Sequence, residues 1–201
     1  MKIGIYGGTF NPIHNAHVHI LNEFCRELNL DKILVIPTKE PPHKIAHALA
    51  TGEDRINMIK LALCDFPFEY EISDMEMKRA EKSFTVDTLK ELRKTYPDDE
   101  FYLMMGEDMF LTIQSWFKSE IIMKEAVICG APRSESGMKS LEEHAENLKK
   151  EYPYFKYLIK NIAFLDISST EIRESINDRE KLVSLVPERV ADYIQQNNLY
   201  K

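Results

Sequence analysis

The chain alternates short apolar runs with longer amphipathic stretches. Residues 33–36 form a continuous apolar run that Pro37 ends, which is typical of a strand buried on both faces. Residues 16–28 instead repeat apolar side chains at helical spacing from Val18 to Leu28. Because segments of these two kinds follow one another along the chain, the pattern predicts βαβ units and a mostly parallel sheet flanked by helices.

The same pattern assigns elements to the rest of the chain. It predicts strands over 2–6, 33–36, 68–72, 101–105, 126–129 and 162–165. It predicts helices over 16–28, 52–64, 86–96, 141–151, 169–176 and 187–197. We expect one domain over residues 1–201, with the helices from about residue 167 packed on it. Ligands of such sheets bind outside the carboxyl ends of the strands, so the loops there are the places to look for chemistry.

Composition narrows the classes of function. The 201 residues are 44% hydrophobic, which excludes a disordered chain, and the formal net charge is −7. An acidic balance disfavours nucleic-acid polymers, which require a basic surface. No apolar stretch approaches the ~20 residues of a membrane-spanning helix. Three scattered cysteines, Cys25, Cys64 and Cys129, form no disulfide framework, so we expect a cytoplasmic protein.

The loop after the first predicted strand has the features of an anion site. It runs from Gly7 to His17 and carries neither a G-x-G-x-x-G pattern nor a P-loop. Its paired glycines allow close approach of a ligand, and it opens a helix whose first N–H groups favour an anion. His14 and His17 are three residues apart, which places them on one face of that helix. Beside a phosphate, they could donate hydrogen bonds and stabilise charge during transfer.

A zinc site is the alternative interpretation of these histidines, because His14, His17 and His19 fall within six residues. No cysteine pair or carboxylate is nearby, and His17 and His19 point to different faces of the predicted helix. We therefore expect His19 to be an ordinary histidine and assign no metal to the protein.

The loop after the last predicted strand contains three consecutive hydroxyl residues, Ser168, Ser169 and Thr170, followed by Arg173. Ser168 with Glu171 fits a helix capping box. A cap needs only one hydroxyl, however, and the whole set suits a polyphosphate. Together with the histidine pair, which is expected at the same edge of the sheet, it predicts a polyphosphate site.

Together these motifs resemble the adenylyltransferases that share an H-x-G-H loop and a late S-S/T-x-x-R motif, most closely the bacterial nicotinate-nucleotide adenylyltransferase family. The resemblance extends from Met1 to Tyr200. The residues that resemble the family's motifs are Trp116 and the stretches 7–14, 41–44, 55–58, 83–89, 106–109 and 167–173. The chain departs from the family at Ala16, where the motif has glycine, and at residues 130–134, which lack an R-P-G sequence.

The resemblance implies a Rossmann-like nucleotidyltransferase fold and a reaction. ATP would give its adenylyl group to nicotinate mononucleotide, forming deamido-NAD and pyrophosphate without a covalent intermediate, as a step of NAD biosynthesis. Mg²⁺ would accompany ATP, held by the phosphates rather than by protein ligands. No nucleic acid or membrane would take part, and a homodimer or larger assembly stays open.

The resemblance also implies roles for individual residues. His14 and His17 would be catalytic, with ATP bound by Gly7, Gly8, Thr9, Phe10, Ser168, Ser169, Thr170 and Arg173. The substrate-binding residues would be Lys44, Thr85, Gly106, Asp108, Trp116 and Arg133. The two histidines, Lys44 and Arg173 would form a small cationic pocket in an acidic protein.

Some of these residues also have ordinary structural interpretations. Trp116 could be a core anchor, Lys44 a plain loop lysine, and Thr85 and Asp108 helix caps. Two other functions stay open as well. One is a related transferase acting on another acceptor, such as nicotinamide mononucleotide or pantetheine phosphate. The other is a nucleotide sensor that binds ATP without turnover.

Overall fold

A computed structural model describes residues 1–39, 49–80 and 82–201. Its strands are β1 (Lys2–Gly8), β2 (Lys32–Pro37), β3 (Tyr70–Ile72), β4 (Glu100–Gly106), β5 (Ala126–Ala131) and β6 (Tyr157–Ile159). Its α-helices are α1 (Asn15–Leu28), α2 (Gly52–Ala62), α3 (Thr85–Thr95), α4 (Glu107–Phe110), α5 (Ser119–Glu125), α6 (Glu135–Glu151), α7 (Ser169–Glu174), α8 (Arg179–Leu185) and α9 (Glu188–Gln196). A short 3₁₀ turn spans Ile113–Ser115.

The strands form one sheet in the order β3-β2-β1-β4-β5-β6, and every neighbouring pair is parallel. This confirms the predicted fold class, a mostly parallel sheet flanked by helices. The apolar run 33–36 lies in β2 and is at most 1% exposed, as expected for a strand covered on both faces. The order reverses beside β1, where β1 pairs with both β2 and β4, and such a switch point is where open α/β sheets bind ligands.

Two hydrophobic clusters pack on the two faces of the sheet. Tyr6 of β1 belongs to one cluster, with α1, α2 and α9, whereas its neighbour Ile5 belongs to the other, with α3, α5 and α6. The alternation follows from the strand period of two, which sends successive side chains to opposite faces. Within the described residues, no helix combines the length and apolarity needed to cross a bilayer.

The predicted last strand over 162–165 is wrong, because β6 lies earlier, at Tyr157–Ile159. The ladder ends when the Lys160 N–H donates to the Gly130 carbonyl over 3.1 Å. The partner strand β5 stops one residue later, and Pro132 has no N–H with which to continue it. Of the four residues predicted as strand, only Ile162 is buried.

Other differences concern the helices. Helix α6 begins at Glu135, six residues before its predicted start, because the Ser134 hydroxyl accepts the Gly137 N–H as a cap. The short helices α4, α5 and α8 were not predicted. Each has seven residues or fewer, too short for a helical period to stand out in the sequence.

Candidate active site

The first loop links β1 to α1 at the switch point of the sheet. Phe10 has a left-handed φ of 46°, and its ring is buried, with 2% of the residue exposed. A methyl on Gly8 would approach that ring to 3.0 Å, whereas one on Gly7 would meet nothing closer than 3.9 Å. Gly8 is therefore needed for packing, and exposed Gly7 leaves room for a ligand. Because the Phe10 ring is buried, Phe10 could contact a nucleotide through its backbone only.

His14 and His17 form a tight pair at the start of α1. Their rings stack with centroids 3.6 Å apart and an interplanar angle of 28°. The backbone N–H of His14 donates to Nδ1 of His17 over 3.3 Å. In the neutral ring of His17 the proton then resides on Nε2, which is left as a donor. The His14 side chain faces the backbone N–H of His17 in a capping-box arrangement, but its buried Nδ1 makes no hydrogen bond of full geometry among the described residues.

Both histidines are neutral in the free protein at pH 7. Burial, with a smaller contribution from the charge of Arg133, lowers the pKa of His14 to about 4. Burial and the adjacent His14 ring lower the pKa of His17 well below its usual range. The expected cationic pocket therefore needs correction, because neither imidazole carries positive charge before an anion arrives.

The structure also tests the expectations for Ala16, His19 and a metal site. Ala16, the departure from the family motif, is 5% exposed, so its methyl packs inside the protein. Nε2 of His19 lies 2.8 Å from the carbonyl of Ala163, outside the stacked pair. Lys44 lies outside the described residues. Among the described residues, no three His, Cys, Asp or Glu side chains gather closely enough to hold a metal ion.

The late hydroxyl motif docks directly on the first loop. Ser168 caps α7 by accepting the Glu171 N–H over 3.1 Å, which confirms the cap, whereas the Glu171 carboxylate pairs with Lys181 instead of completing a capping box. Next to the cap, the Ser169 hydroxyl donates to the carbonyl of Pro12 over 3.0 Å. Arg173 donates from Nη1 to the carbonyl of Asn11 over 2.9 Å and from Nη2 to the Thr170 hydroxyl over 3.1 Å. The two predicted anion motifs therefore form one site, although the strand expected before the second one is not there.

A buried arginine that the sequence analysis did not select supports the same loop. Arg55 on α2 is 2% exposed. Its guanidinium donates to the carbonyls of Thr9 (2.8 Å), Thr38 (2.6 Å), Lys39 (3.0 Å) and Ala50 (3.3 Å). One side chain thus joins the first loop to the segment after β2 and to the residues before α2. Burial lowers the pKa of Arg55.

The predicted acceptor-binding residues follow β4 and β5. Gly106 is the N-cap of α4, and a methyl there would meet nothing within 4 Å. Asp108, at the second position of that helix and not its cap, pairs with the guanidinium of Arg133. Arg133 also lies 5.3 Å from the ring centre of Phe164, and its backbone N–H donates to Glu107 over 2.6 Å. Because the charge of Arg133 depresses the pKa of His14, this pair lies within electrostatic reach of the histidines.

Three aromatic side chains, Phe84, Trp116 and Phe117, lie near the start of α3 and the 3₁₀ turn. Trp116 is half-buried and ends the 3₁₀ turn, with its N–H donating to the carbonyl of Ile113. Phe117 beside it is 48% exposed, and its ring centre lies 4.8 Å from that of Phe84. Phe84, rather than Thr85, is the N-cap of α3, and no side chain caps that helix. Thr85 thus begins a helix that no side chain caps, and the start of such a helix favours an anion.

Comparison with known proteins agrees with this geometry. The cytidylyltransferase-like family model matches residues 5–175. A protein named "Probable nicotinate-nucleotide adenylyltransferase" from Desulfitobacterium hafniense strain Y51 is 38% identical, over 100% of this chain and 96% of that protein. A protein of the same name from Clostridium tetani is 35% identical, over 100% of this chain and 99% of its own length.

Solved structures of an adenylyltransferase are also similar to this chain over almost its whole length. Nicotinic acid mononucleotide adenylyltransferase from Plasmodium falciparum, complexed with APC, is 27% identical and superposes with a TM-score of 0.80, covering 99% of this chain and 96% of its own. The same enzyme complexed with NaAD gives a TM-score of 0.82 at 27% identity, covering 99% and 97%. Because the family model matches most of the chain and relatives more than 30% identical span all of it, the chain belongs to the cytidylyltransferase-like family and, within it, to the nicotinate-nucleotide adenylyltransferases.

Proposed function

We propose that the chain transfers the adenylyl group of ATP to nicotinate mononucleotide, releasing pyrophosphate and forming nicotinate adenine dinucleotide (deamido-NAD) for NAD biosynthesis. The observation that carries the proposal is the docking of Ser169 and Arg173 on the carbonyls of Pro12 and Asn11. It brings the late hydroxyl motif and the stacked histidines to one edge of the sheet, as a triphosphate requires. The full-length similarity to the bacterial relatives supports the choice of acceptor.

The chemistry is an in-line displacement at phosphorus. A phosphate oxygen of nicotinate mononucleotide forms a bond to the α-phosphorus of ATP. The bond from that phosphorus to the oxygen bridging to the β-phosphate breaks, and pyrophosphate leaves with the electron pair. No protein nucleophile takes part, so the residues of the chain act by positioning the reactants and by stabilising the charge that builds up.

His17 supplies the donor nearest to the reacting phosphorus in this proposal. Its Nδ1 accepts the His14 N–H, so Nε2 carries the proton and can donate to a non-bridging oxygen. His14 provides a second ring at the N-terminus of α1, with a buried Nδ1 that makes no hydrogen bond of full geometry among the described residues. An arriving triphosphate raises the pKa of both rings, because a nearby anion favours the charged form. Each donor then strengthens as negative charge develops.

The rest of the triphosphate is held by the N-termini of α1 and α7 and by neighbouring side chains. Ser168, Thr170 and Arg173 contact the β- and γ-phosphates, and Lys44 adds positive charge. Ser169 contributes through its backbone N–H, because its hydroxyl donates to the Pro12 carbonyl. The backbone from Gly7 to Phe10 contacts the adenosine half of ATP. Mg²⁺ enters as part of the MgATP substrate, since octahedral Mg²⁺ is commonly bound through substrate phosphates with few protein ligands.

The acceptor occupies the region between α3 and β5. Its pyridine ring stacks on Trp116, and its carboxylate accepts hydrogen bonds from backbone N–H groups near Thr85 and Trp116. Asp108 accepts a ribose hydroxyl, for which it must share or release Arg133. The uncapped start of α3 supports a carboxylate-bearing ring, because a carboxamide lacks the charge that such a terminus favours.

All three cysteines are free, which fits our proposal of a reducing cytoplasm as the place of the reaction.

An acceptor panel tests this function. Purified protein with MgATP is offered nicotinate mononucleotide, nicotinamide mononucleotide or pantetheine phosphate, and kcat/KM is measured for each. We expect nicotinate mononucleotide to be preferred. A preference for the amide would overturn the acceptor assignment, and turnover with pantetheine phosphate alone would identify one of the related transferases.

A further inference from the structure

Tyr200 contacts the first loop from the opposite end of the sequence. Its hydroxyl donates to Oδ1 of Asn11 over 2.9 Å, and the same oxygen accepts the Ala50 N–H over 3.0 Å. Asn11 is 5% exposed, and its backbone carbonyl is the acceptor of Arg173. A single loop residue therefore connects Tyr200, Ala50 and the arginine of the late motif.

The backbone that brings Tyr200 to this position is sterically unfavourable. Asn198 and Tyr200 have left-handed φ values of 51° and 65°. A bulky side chain rarely adopts this conformation, and it persists only where the surroundings impose it. Here Leu199 and Tyr200 pack against the core cluster that contains Ile194, and the Leu199 N–H donates to the Ile194 carbonyl over 3.0 Å. The segment after α9 is thus held firmly against the first loop.

Burial keeps the Tyr200 hydroxyl protonated, so it stays a donor. Burial raises its pKa, although the neighbouring guanidinium groups of Arg173 and Arg55 act in the opposite direction. The hydroxyl is therefore protonated throughout the physiological pH range. Its placement near both arginines puts it among the groups that shape the loop, without a position in the proposed reaction.

We propose that Tyr200 is a positioning residue for nucleotide binding, which acts through Asn11 to hold the first loop in register with Arg173. Loss of the hydroxyl removes one of the hydrogen bonds that hold the Asn11 side chain, so the loop and its Arg173 contact lose part of their preorganisation. Preorganisation of a binding loop lowers the entropy lost when a ligand binds. The effect should therefore appear in the affinity for MgATP and not in kcat. The choice of ATP as ligand rests on the proposed function.

The test compares Tyr200→Phe with Tyr193→Phe. Tyr193 also links the C-terminal region to its surroundings, since its hydroxyl donates to Asp54 over 2.9 Å and accepts from Asn57 over 3.2 Å. Within the described part of the chain, Tyr193 makes no hydrogen bond to the first loop, and each variant removes one hydroxyl and keeps the ring. We expect Tyr200→Phe to raise the Kd and KM for MgATP about fivefold, as for one ordinary hydrogen bond, with kcat unchanged. Tyr193→Phe should leave both constants near their original values.

A double-variant cycle then tests whether Tyr200 affects MgATP binding through Asn11. In an Asn11→Ala background, Tyr200→Phe should weaken MgATP binding no further. Equal Kd values for the original chain and Tyr200→Phe would overturn the proposal. So would equal weakening in both tyrosine variants, which indicates a general loss of stability, or a full additional effect in the Asn11→Ala background.

The binding readout separates this inference from the proposed function. Calorimetry with MgATP requires no turnover. A chain that binds MgATP but forms no deamido-NAD contradicts the proposed function, and the ratio of Kd values still decides the role of Tyr200. A chain that binds no MgATP contradicts both.

Discussion

The backbone N–H of His14 donates to Nδ1 of His17, and the two rings stack 3.6 Å apart. This relationship selects one tautomer of His17 and leaves its Nε2–H as a donor. It also makes simultaneous protonation of both rings unfavourable, because two cations would lie in contact. We therefore expect the pair to be neutral in the free protein and propose that one ring gains a proton when an anionic nucleotide binds.

Replacement of His17 tests the donor role directly. His17→Ala should lower kcat by about 10²–10³, which is the range for loss of one preorganised donor to a developing anion. His19→Ala is the matched control, because His19 lies on the same helix as His17. It contacts the Ala163 carbonyl and not the stacked pair. Steady-state kinetics and thermal unfolding are measured for both variants. An unchanged kcat in His17→Ala would remove the ring from the mechanism.

The depressed pKa of His14 predicts a pH dependence of stability. The unfolded chain binds a proton near pH 6.5, whereas folded His14 does so only near pH 4. Between these values the unfolded state holds more protons, so the free energy of unfolding falls as pH decreases. From pH 7.5 to pH 5 this single group should reduce the free energy of unfolding by about 2 kcal/mol.

His14→Gln checks that assignment. Urea unfolding of both chains is measured between pH 5 and pH 7.5, where most carboxylates remain ionised. The difference between the two pH profiles should equal the contribution of His14. Parallel profiles would show that His14 titrates at an ordinary pKa in the folded protein.

The two glycines of the first loop should respond differently to one methyl group. Gly8→Ala forces contact with the Phe10 ring and should destabilise the fold by about 1–3 kcal/mol. Gly7→Ala has room within the protein and should keep its Tm while raising the KM for MgATP. The pair is measured by thermal unfolding and kinetics. A Gly7→Ala enzyme with unchanged KM would place the nucleotide elsewhere.

Arg55 should be one of the most sensitive positions outside the reacting groups. Arg55→Met leaves four carbonyls without their donor and should cost about 3 kcal/mol or more of folding free energy. Arg26→Met, at a side chain 62% exposed that pairs with Glu23, should cost less than about 1 kcal/mol. Denaturant unfolding compares them. Similar midpoints would mean that the carbonyls find water or other donors.

Sequence patterns were sufficient for five of the six strands and for the two loop motifs that carry histidine, hydroxyl and arginine side chains. The run 33–36 predicted its buried strand because continuous apolarity has few other interpretations. The strand expected over 162–165 failed because strand formation depends on a partner, and β5 has ended where that partner was needed. Nothing in the local pattern of those residues reports where a distant strand stops.

The supporting residues were harder to find for a related reason. Arg55 occupies the buried face that also carries Met58 and Ile59, so a charged residue at an apolar position was the available signal. The signal does not say which carbonyls receive its donors, since these come from three separate segments. The same holds for Tyr200 and Asn11, which are 189 positions apart. Their contact arises from tertiary packing, which no periodicity encodes.

The most direct test of the central claim is product formation from MgATP and nicotinate mononucleotide. Purified protein is incubated with both, and pyrophosphate and deamido-NAD are quantified over time. We predict that the two products appear in equal amounts and that omission of Mg²⁺ abolishes both. Tight binding of ATP with neither product would contradict the account and would identify the chain as a nucleotide sensor.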